Sequence, residues 1–143
     1  MKYVFKLNVM SVLYALMIFI PIELTGNVYR ITRLTNIGFG TVNLLLWLTI
    51  IVGTVFLFFL TRKWLDRRKA NYWTALLWIP YVLLFMRVFV SLFPITNPGD
   101  APNPASGLIL LGGLFVYPFY ILILNFFAMS ADDKPLKQPH NNA

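Results

Sequence analysis

The chain has 143 residues, of which 59% are hydrophobic and 12% charged, with a formal net charge of +7 and no cysteine. Soluble domains carry about a quarter charged residues, so this composition excludes an ordinary soluble protein, and the missing cysteines exclude disulfides and thiolate metal sites. The basic residues flank apolar runs, where membrane orientation explains them, so we expect a lipid bilayer and no nucleic acid as the partner.

The first apolar run covers residues 7–22 and follows Lys2 and Lys6. Two lysines before such a run also occur in secretory signals. The sequence PIELT, which begins at Pro21, contains no small-x-small cleavage site. The run is therefore predicted to remain as the first membrane span, with Glu23 at its outer end.

A more polar connector follows over residues 24–38. Val28, Ile31 and Leu34 recur at every third position, with Arg30 and Arg33 between them. This spacing predicts a short amphipathic segment in the headgroup region. Because guanidinium groups pair well with phosphate, Arg30 and Arg33 are candidates for binding lipid headgroups, most simply as anchors of the connector.

The second predicted span covers residues 39–60, and at 1.5 Å per residue it is about 33 Å long, enough to cross a bilayer. Thr49 and Gly53 form a small-xxx-small pair that predicts a face for close helix packing. Asn43, near the start of the span, belongs to the same predicted packing face.

The sequence TRKWLDRRKAN over residues 61–71 is the clearest topology signal in the chain, with five basic residues and one acid, Asp66. We predict a cytoplasmic loop, with both termini on the same side. The basic residues then assigned to the cytoplasm are Lys2, Lys6, Arg62, Lys63, Arg67, Arg68, Lys69, Lys134 and Lys137. The outer segments carry only Arg30 and Arg33, and this asymmetry of nine against two agrees with the positive-inside rule.

The third predicted span, residues 72–93, contains a charge that lipid should resist. Arg87 lies six residues before the end of the span, where exposure to lipid costs a few kcal/mol on insertion scales. Two solutions remain open: Arg87 reaches outward to the lipid phosphates, or it pairs inside the bundle with Asn43 or Glu23. Pro80 is predicted to kink this span.

A proline-rich outer loop over residues 94–106 precedes the fourth predicted span, residues 107–129. Gly112 and Gly113 would allow a neighbouring helix to approach closely. Tyr117 lies near the midplane, where it either hydrogen-bonds across the bundle or lines a small cavity. The polar tail, residues 130–143, is predicted to be disordered and cytoplasmic.

Together these segments predict an all-α fold: a polytopic membrane protein with four transmembrane helices in a compact bundle and cytoplasmic N- and C-termini. Residues 1–129 form one transmembrane domain. The composition and charge pattern favour a multi-pass protein of a bacterial-type plasma membrane.

The chain offers little for catalysis. The five acids avoid the middle of the spans, and His140, the single histidine, lies in the tail, so no nucleophile with a base and no metal cluster is evident. We therefore expect no enzyme, no metal and no cofactor. The favoured function is an accessory, regulatory or immunity-type protein that acts through contacts with another membrane protein or with itself. The alternative is a small transporter or lipid-binding protein whose outward-facing pocket surrounds Arg87, with Asn43, Glu23 and Tyr117 as lining.

Overall fold

The computed structural model describes residues 2–65 and 68–130, and the regular structure in these ranges is helical. Five α-helices follow one another: α1 (Lys2–Gly26), α2 (Val28–Thr35), α3 (Phe39–Trp64), α4 (Thr74–Leu92) and α5 (Pro104–Ser130). Short 3-10 turns cover Lys69–Trp73 and Pro98–Asp100. Four segments are long and apolar enough to cross a membrane, namely α1, α3, Lys69–Leu92 and α5. The all-α fold with four membrane-spanning candidates is confirmed.

The long helices extend beyond most of the predicted spans. Apolar runs end at the first charges, but a helix can continue into the headgroup region, because its backbone hydrogen bonds are satisfied internally. In α3 the last turn includes Arg62 and Lys63, whose charges are favourable at a helix C-terminus. Asp66 and Arg67 of the basic loop, and the predicted disordered tail after Ser130, lie outside the described residues.

The connector predicted as an amphipathic segment forms α2. Asn27 separates it from α1 and continues the backbone hydrogen bonding on both sides, from Asn27 N to Glu23 O at 2.9 Å and from Ile31 N to Asn27 O at 2.8 Å. Asn36 ends α2 in the left-handed conformation, with φ of 56°, a common helix terminator. We call the end of the bundle that carries α2 the α2 end, and the opposite end, with residues 68–73, the loop end.

Helix α1 lies at the centre of the bundle and contacts each of the other long helices. It packs along α3, α4 and α5, whereas α3 and α4, although consecutive long helices, do not pack against each other. In α1, 33% of the most apolar stretch is buried, against 11% in α3 and 17% in α5. Met10 and Tyr14 of α1 are fully enclosed, and Trp78 meets Tyr117 edge to face with ring centroids 4.9 Å apart.

The predicted packing glycines differ in how closely a neighbouring helix approaches them. A Cβ at Gly53 would collide with the Met17 side chain, so α3 approaches α1 closely at this position, as the predicted packing face requires. A Cβ at Gly112 or Gly113 would meet nothing within 4 Å. The predicted close approach at those two glycines is therefore absent within the described chain, because both lie on the exposed side of α5.

Candidate functional site

The four residues predicted to share a pocket are placed apart. Arg87 and Asn43 are both exposed, on α4 and α3 respectively. Glu23 is half-buried, and its Oε2 accepts a hydrogen bond of 2.7 Å from Asn27 Nδ2. Tyr117 is buried, and its hydroxyl donates to the backbone oxygen of Tyr14 at 2.6 Å. Among the described residues, no hydrogen bond or ion pair joins any two of these four.

The buried face of α4 shows in which direction the Arg87 side chain points. Trp78 and Val82 are buried there and define the face that packs into the bundle. Arg87 lies five residues after Val82, which at 3.6 residues per turn places it about 140° around the helix. Its neighbours on the outward face, Leu83 and Val90, are 60% and 64% exposed. The guanidinium therefore emerges on an exposed apolar surface of α4, and it has no hydrogen-bond partner among residues 2–65 and 68–130.

Hydrogen bonds of tyrosines and threonines connect α1, α3 and α5. The Tyr14 hydroxyl and Thr61 Oγ1 are 2.9 Å apart and both are buried. The Tyr120 hydroxyl lies 2.8 Å from Thr54 Oγ1, and its ring stacks on Tyr117. Thus Tyr117 makes the hydrogen bond across the bundle that its depth suggested, and it also lines an open groove of about 350 Å³ between α1, α3 and α5.

A second polar cluster at the loop end was missed by sequence reasoning. Asn71 is fully buried, and its Oδ1 accepts a 2.6 Å hydrogen bond from the Tyr3 hydroxyl. Thr74 Oγ1 donates to Asn71 O at 2.7 Å and accepts from Asn125 Nδ2 at 3.1 Å. Arg68 lies over the Tyr3 ring, 4.8 Å from its centroid. These contacts tie α1, α4 and α5 together where the basic loop returns the chain to the bundle.

Asn125 leaves one atom of this cluster unsatisfied. Its Nδ2 makes two hydrogen bonds, to Thr74 Oγ1 and to Ile121 O. Its Oδ1 is buried without a partner among the described residues. Asn125 lies within the apolar sequence of α5, so a need for partners could be read from the sequence. Asn71 and Thr74, in contrast, resembled ordinary residues of a membrane boundary.

An ion pair stabilises the α2 end. Arg33 Nε and Nη2 donate to the two carboxylate oxygens of Asp100, at 2.8 and 2.6 Å. The side chain of Asp100 is 4% exposed and that of Arg33 is 49% exposed. Hydrogen bonding to Arg33 lowers the pKa of Asp100 below its ordinary value, and the nearby charge of Arg30 acts in the same direction. Arg33, predicted to bind headgroups, thus fastens α2 to the proline-rich loop.

Arg30 reaches the same loop by a different contact. Its Nη1 donates to the backbone oxygen of Phe93 at 2.9 Å, just after α4 ends. Arg30 also lines an open groove of about 530 Å³ together with Glu23, Asn27 and a set of apolar side chains. Of the two arginines predicted to bind headgroups, only Arg30 lines this groove.

The described residues contain no group of three or more His, Asp or Glu side chains that could hold a metal ion. The polar side chains within the bundle form hydrogen bonds either to another helix or to a backbone oxygen of their own helix. Such bonds satisfy polar groups inside a membrane. No family model, no curated protein and no solved structure matches the chain.

Proposed function

We propose that this chain is an accessory, regulatory or immunity-type membrane protein that acts by binding another membrane protein through the outward face of α4. The observation that carries the proposal is Arg87, a charged side chain on an otherwise apolar surface. We place the protein in a plasma membrane of bacterial type with both termini in the cytoplasm, because nine basic residues against two favour that orientation.

The position of Arg87 in α4 determines how much its charge costs in a membrane. A charged side chain at the centre of a membrane helix costs about 2.5–3.5 kcal/mol on insertion scales, and the cost falls toward the interface. Arg87 precedes the last residue of α4, Leu92, by five residues, or about 7.5 Å of helix, so an extended side chain can approach the headgroups. Snorkelling makes the residue tolerable in lipid, but it leaves the guanidinium donors available to a partner.

A carboxylate on a neighbouring membrane protein would use those donors. One acid at the matching depth would pair with the guanidinium and fix the register of the contact. The adjacent exposed side chains, Leu83, Leu84 and Val90, would supply the apolar surface around it.

The alternative function, a transporter or lipid-binding protein with a pocket around Arg87, has less support. Such a pocket needs Arg87 to converge with Asn43, Glu23 and Tyr117. Arg87 instead points away from the bundle, and Tyr117 is engaged with the backbone of α1.

Site-specific photocrosslinking in native membranes tests the proposal. A photoreactive residue is placed at Leu84 or Val90 on the outward face of α4, and at Phe115 of α5, which is 80% exposed, as the matched lipid-facing control. We expect a protein adduct from the α4 positions and none from Phe115. The α4 adduct should disappear in Arg87→Leu and persist in part in Arg87→Lys. Adducts with lipid alone at every position, or equal protein adducts at Phe115, would contradict the proposal.

A further inference from the structure

The groove at the α2 end combines an apolar floor with a charged rim. It lies between the last turns of α1, the helix α2 and the end of α4. Its apolar lining comes from Phe19, Ile20, Leu24, Leu34, Phe89 and Phe93. Glu23, Asn27 and Arg30 also line the groove, almost entirely through their carbon atoms. A volume of about 530 Å³ can hold a headgroup and the first part of one acyl chain, the remainder of which would extend into the bilayer.

Arg30 keeps hydrogen-bonding capacity on this rim. A guanidinium has five N–H donors, and the structure uses one nitrogen, Nη1, for the backbone oxygen of Phe93. The other donors of Arg30 have no partner in the described part of the chain. That contact holds the side chain in place against α4, so the free donors start from a fixed position, which reduces the entropy lost on binding an anion.

Glu23 supplies the opposite charge. Its Oε2 accepts from Asn27 Nδ2, while Oε1 has no partner among the described residues. Although Glu23 and Arg30 line the same groove, no ion pair joins them within residues 2–65 and 68–130. The groove is therefore bordered by a cation and an anion that form no ion pair with each other, an arrangement complementary to a ligand that carries both charges.

We propose that this groove binds a phospholipid with a phosphate and a primary ammonium, that is, a phosphatidylethanolamine. The phosphate accepts hydrogen bonds from Arg30, the ammonium donates to Glu23, and one acyl chain lies against Phe19 and Phe89. Phosphatidylglycerol lacks the cation, and the trimethylated ammonium of phosphatidylcholine has no N–H to donate, so both fit less well. This inference does not rest on the proposed function or on the sidedness of the membrane, because phosphatidylethanolamine headgroups can lie at either face.

The test measures which lipids the full-length chain retains. The protein is purified from nanodiscs that contain equal amounts of phosphatidylethanolamine, phosphatidylglycerol and phosphatidylcholine, and the bound lipids are counted by native mass spectrometry. We expect phosphatidylethanolamine to be enriched about tenfold over each of the others, since hydrogen bonds to charged groups contribute at least that factor.

Two variants and one control assign the effect to the groove. Glu23→Gln keeps a partner for Asn27 but should abolish the preference for phosphatidylethanolamine over phosphatidylcholine. Arg30→Gln should lower retention of all three lipids, whereas Arg87→Gln, which changes a cation outside the groove, should leave the wild-type pattern.

Three results would overturn the proposal. Equal retention of the three lipids would mean that the groove holds annular lipid only. Enrichment of phosphatidylglycerol would mean a simple anion site. An unchanged preference in Glu23→Gln would mean that the Glu23 carboxylate does not bind the lipid ammonium. This variant tests the proposal even if Arg30→Gln fails to accumulate.

Discussion

The hydrogen bonds of Tyr14 and Tyr117 give the sharpest test of how the bundle is held together. Tyr14→Phe removes the contact between its hydroxyl and Thr61 Oγ1, 2.9 Å in the structure, and leaves the ring in place. Tyr117→Phe removes the 2.6 Å bond to the backbone oxygen of Tyr14. Interhelical hydrogen bonds in membrane proteins contribute about 0.6 kcal/mol on average and at most about 1.7 kcal/mol. Each variant should therefore lose about that much free energy of unfolding.

The geometry also predicts how the losses combine. Because Tyr117 binds the backbone of Tyr14 and not its hydroxyl, the two phenylalanine substitutions remove different bonds, so the double variant should lose more stability than either single variant. Tyr14→Phe and Thr61→Val remove the same bond, so the double variant should lose less than the sum of the single ones. Tyr14→Ala, which also empties the space of a buried ring, should cost about 3–5 kcal/mol.

The assay is reversible unfolding in mixed detergent micelles, followed through the fluorescence of the four tryptophans. Tyr29→Phe is the matched control, because no hydrogen bond of the Tyr29 hydroxyl is found among the described residues. Additive losses in Tyr14→Phe and Thr61→Val would refute the bond assigned between these two side chains. A loss in Tyr14→Phe or Tyr117→Phe no larger than in Tyr29→Phe would refute the contribution of the buried hydroxyl.

Three further predictions concern the ion pair, the orientation and the glycines. Because the pKa of Asp100 is lower in the folded than in the unfolded chain, its ion pair stabilises the fold above about pH 4 and loses this effect as the pH falls through the lowered pKa. The unfolding midpoint of Asp100→Asn should therefore lie below wild type at neutral pH and converge with it in acid; parallel curves would contradict this. In the natively cysteine-free chain, Asn103→Cys should react with an impermeant maleimide on intact cells and Lys69→Cys only after permeabilisation, and the reverse pattern would invert the topology. Gly53→Leu should lose about 1–3 kcal/mol of stability through overpacking against α1, whereas Gly112→Leu should change it by less than about 0.5 kcal/mol, and equal losses would refute the packing assigned to Gly53.

The membrane-spanning segments could be predicted from the sequence because each is marked by residues that are adjacent in the chain. An uninterrupted apolar run such as residues 39–60 needs only its length and composition to indicate a crossing helix. The amphipathic spacing of Val28, Ile31 and Leu34 was also local, and it marked the helix α2. Helix ends were less predictable, since a helix can continue past the first charge, as α3 does to Trp64.

The partners of individual side chains could not be predicted in the same way. A helix that is apolar on all sides has no hydrophobic face to mark its buried side, so nothing in α4 shows that Arg87 points away from the core. Arg33 and Asp100 are 67 residues apart, and their pairing depends on how α2 and the loop after α4 are folded. Asn71 and Thr74 were overlooked because polar residues are ordinary at a membrane boundary, and only tertiary packing buries them.

The central position of α1 has a consequence for assembly. Translation delivers this helix to the bilayer before the others, so each later helix can dock onto a surface that is already present. Helices α3 and α4 follow each other in the chain but do not pack against each other. A cut between them therefore separates no two consecutive long helices that are in contact. Two fragments, one carrying α1 with α3 and the other α4 with α5, retain in trans the surfaces that α1 offers to α4 and α5, and co-expression should restore the bundle.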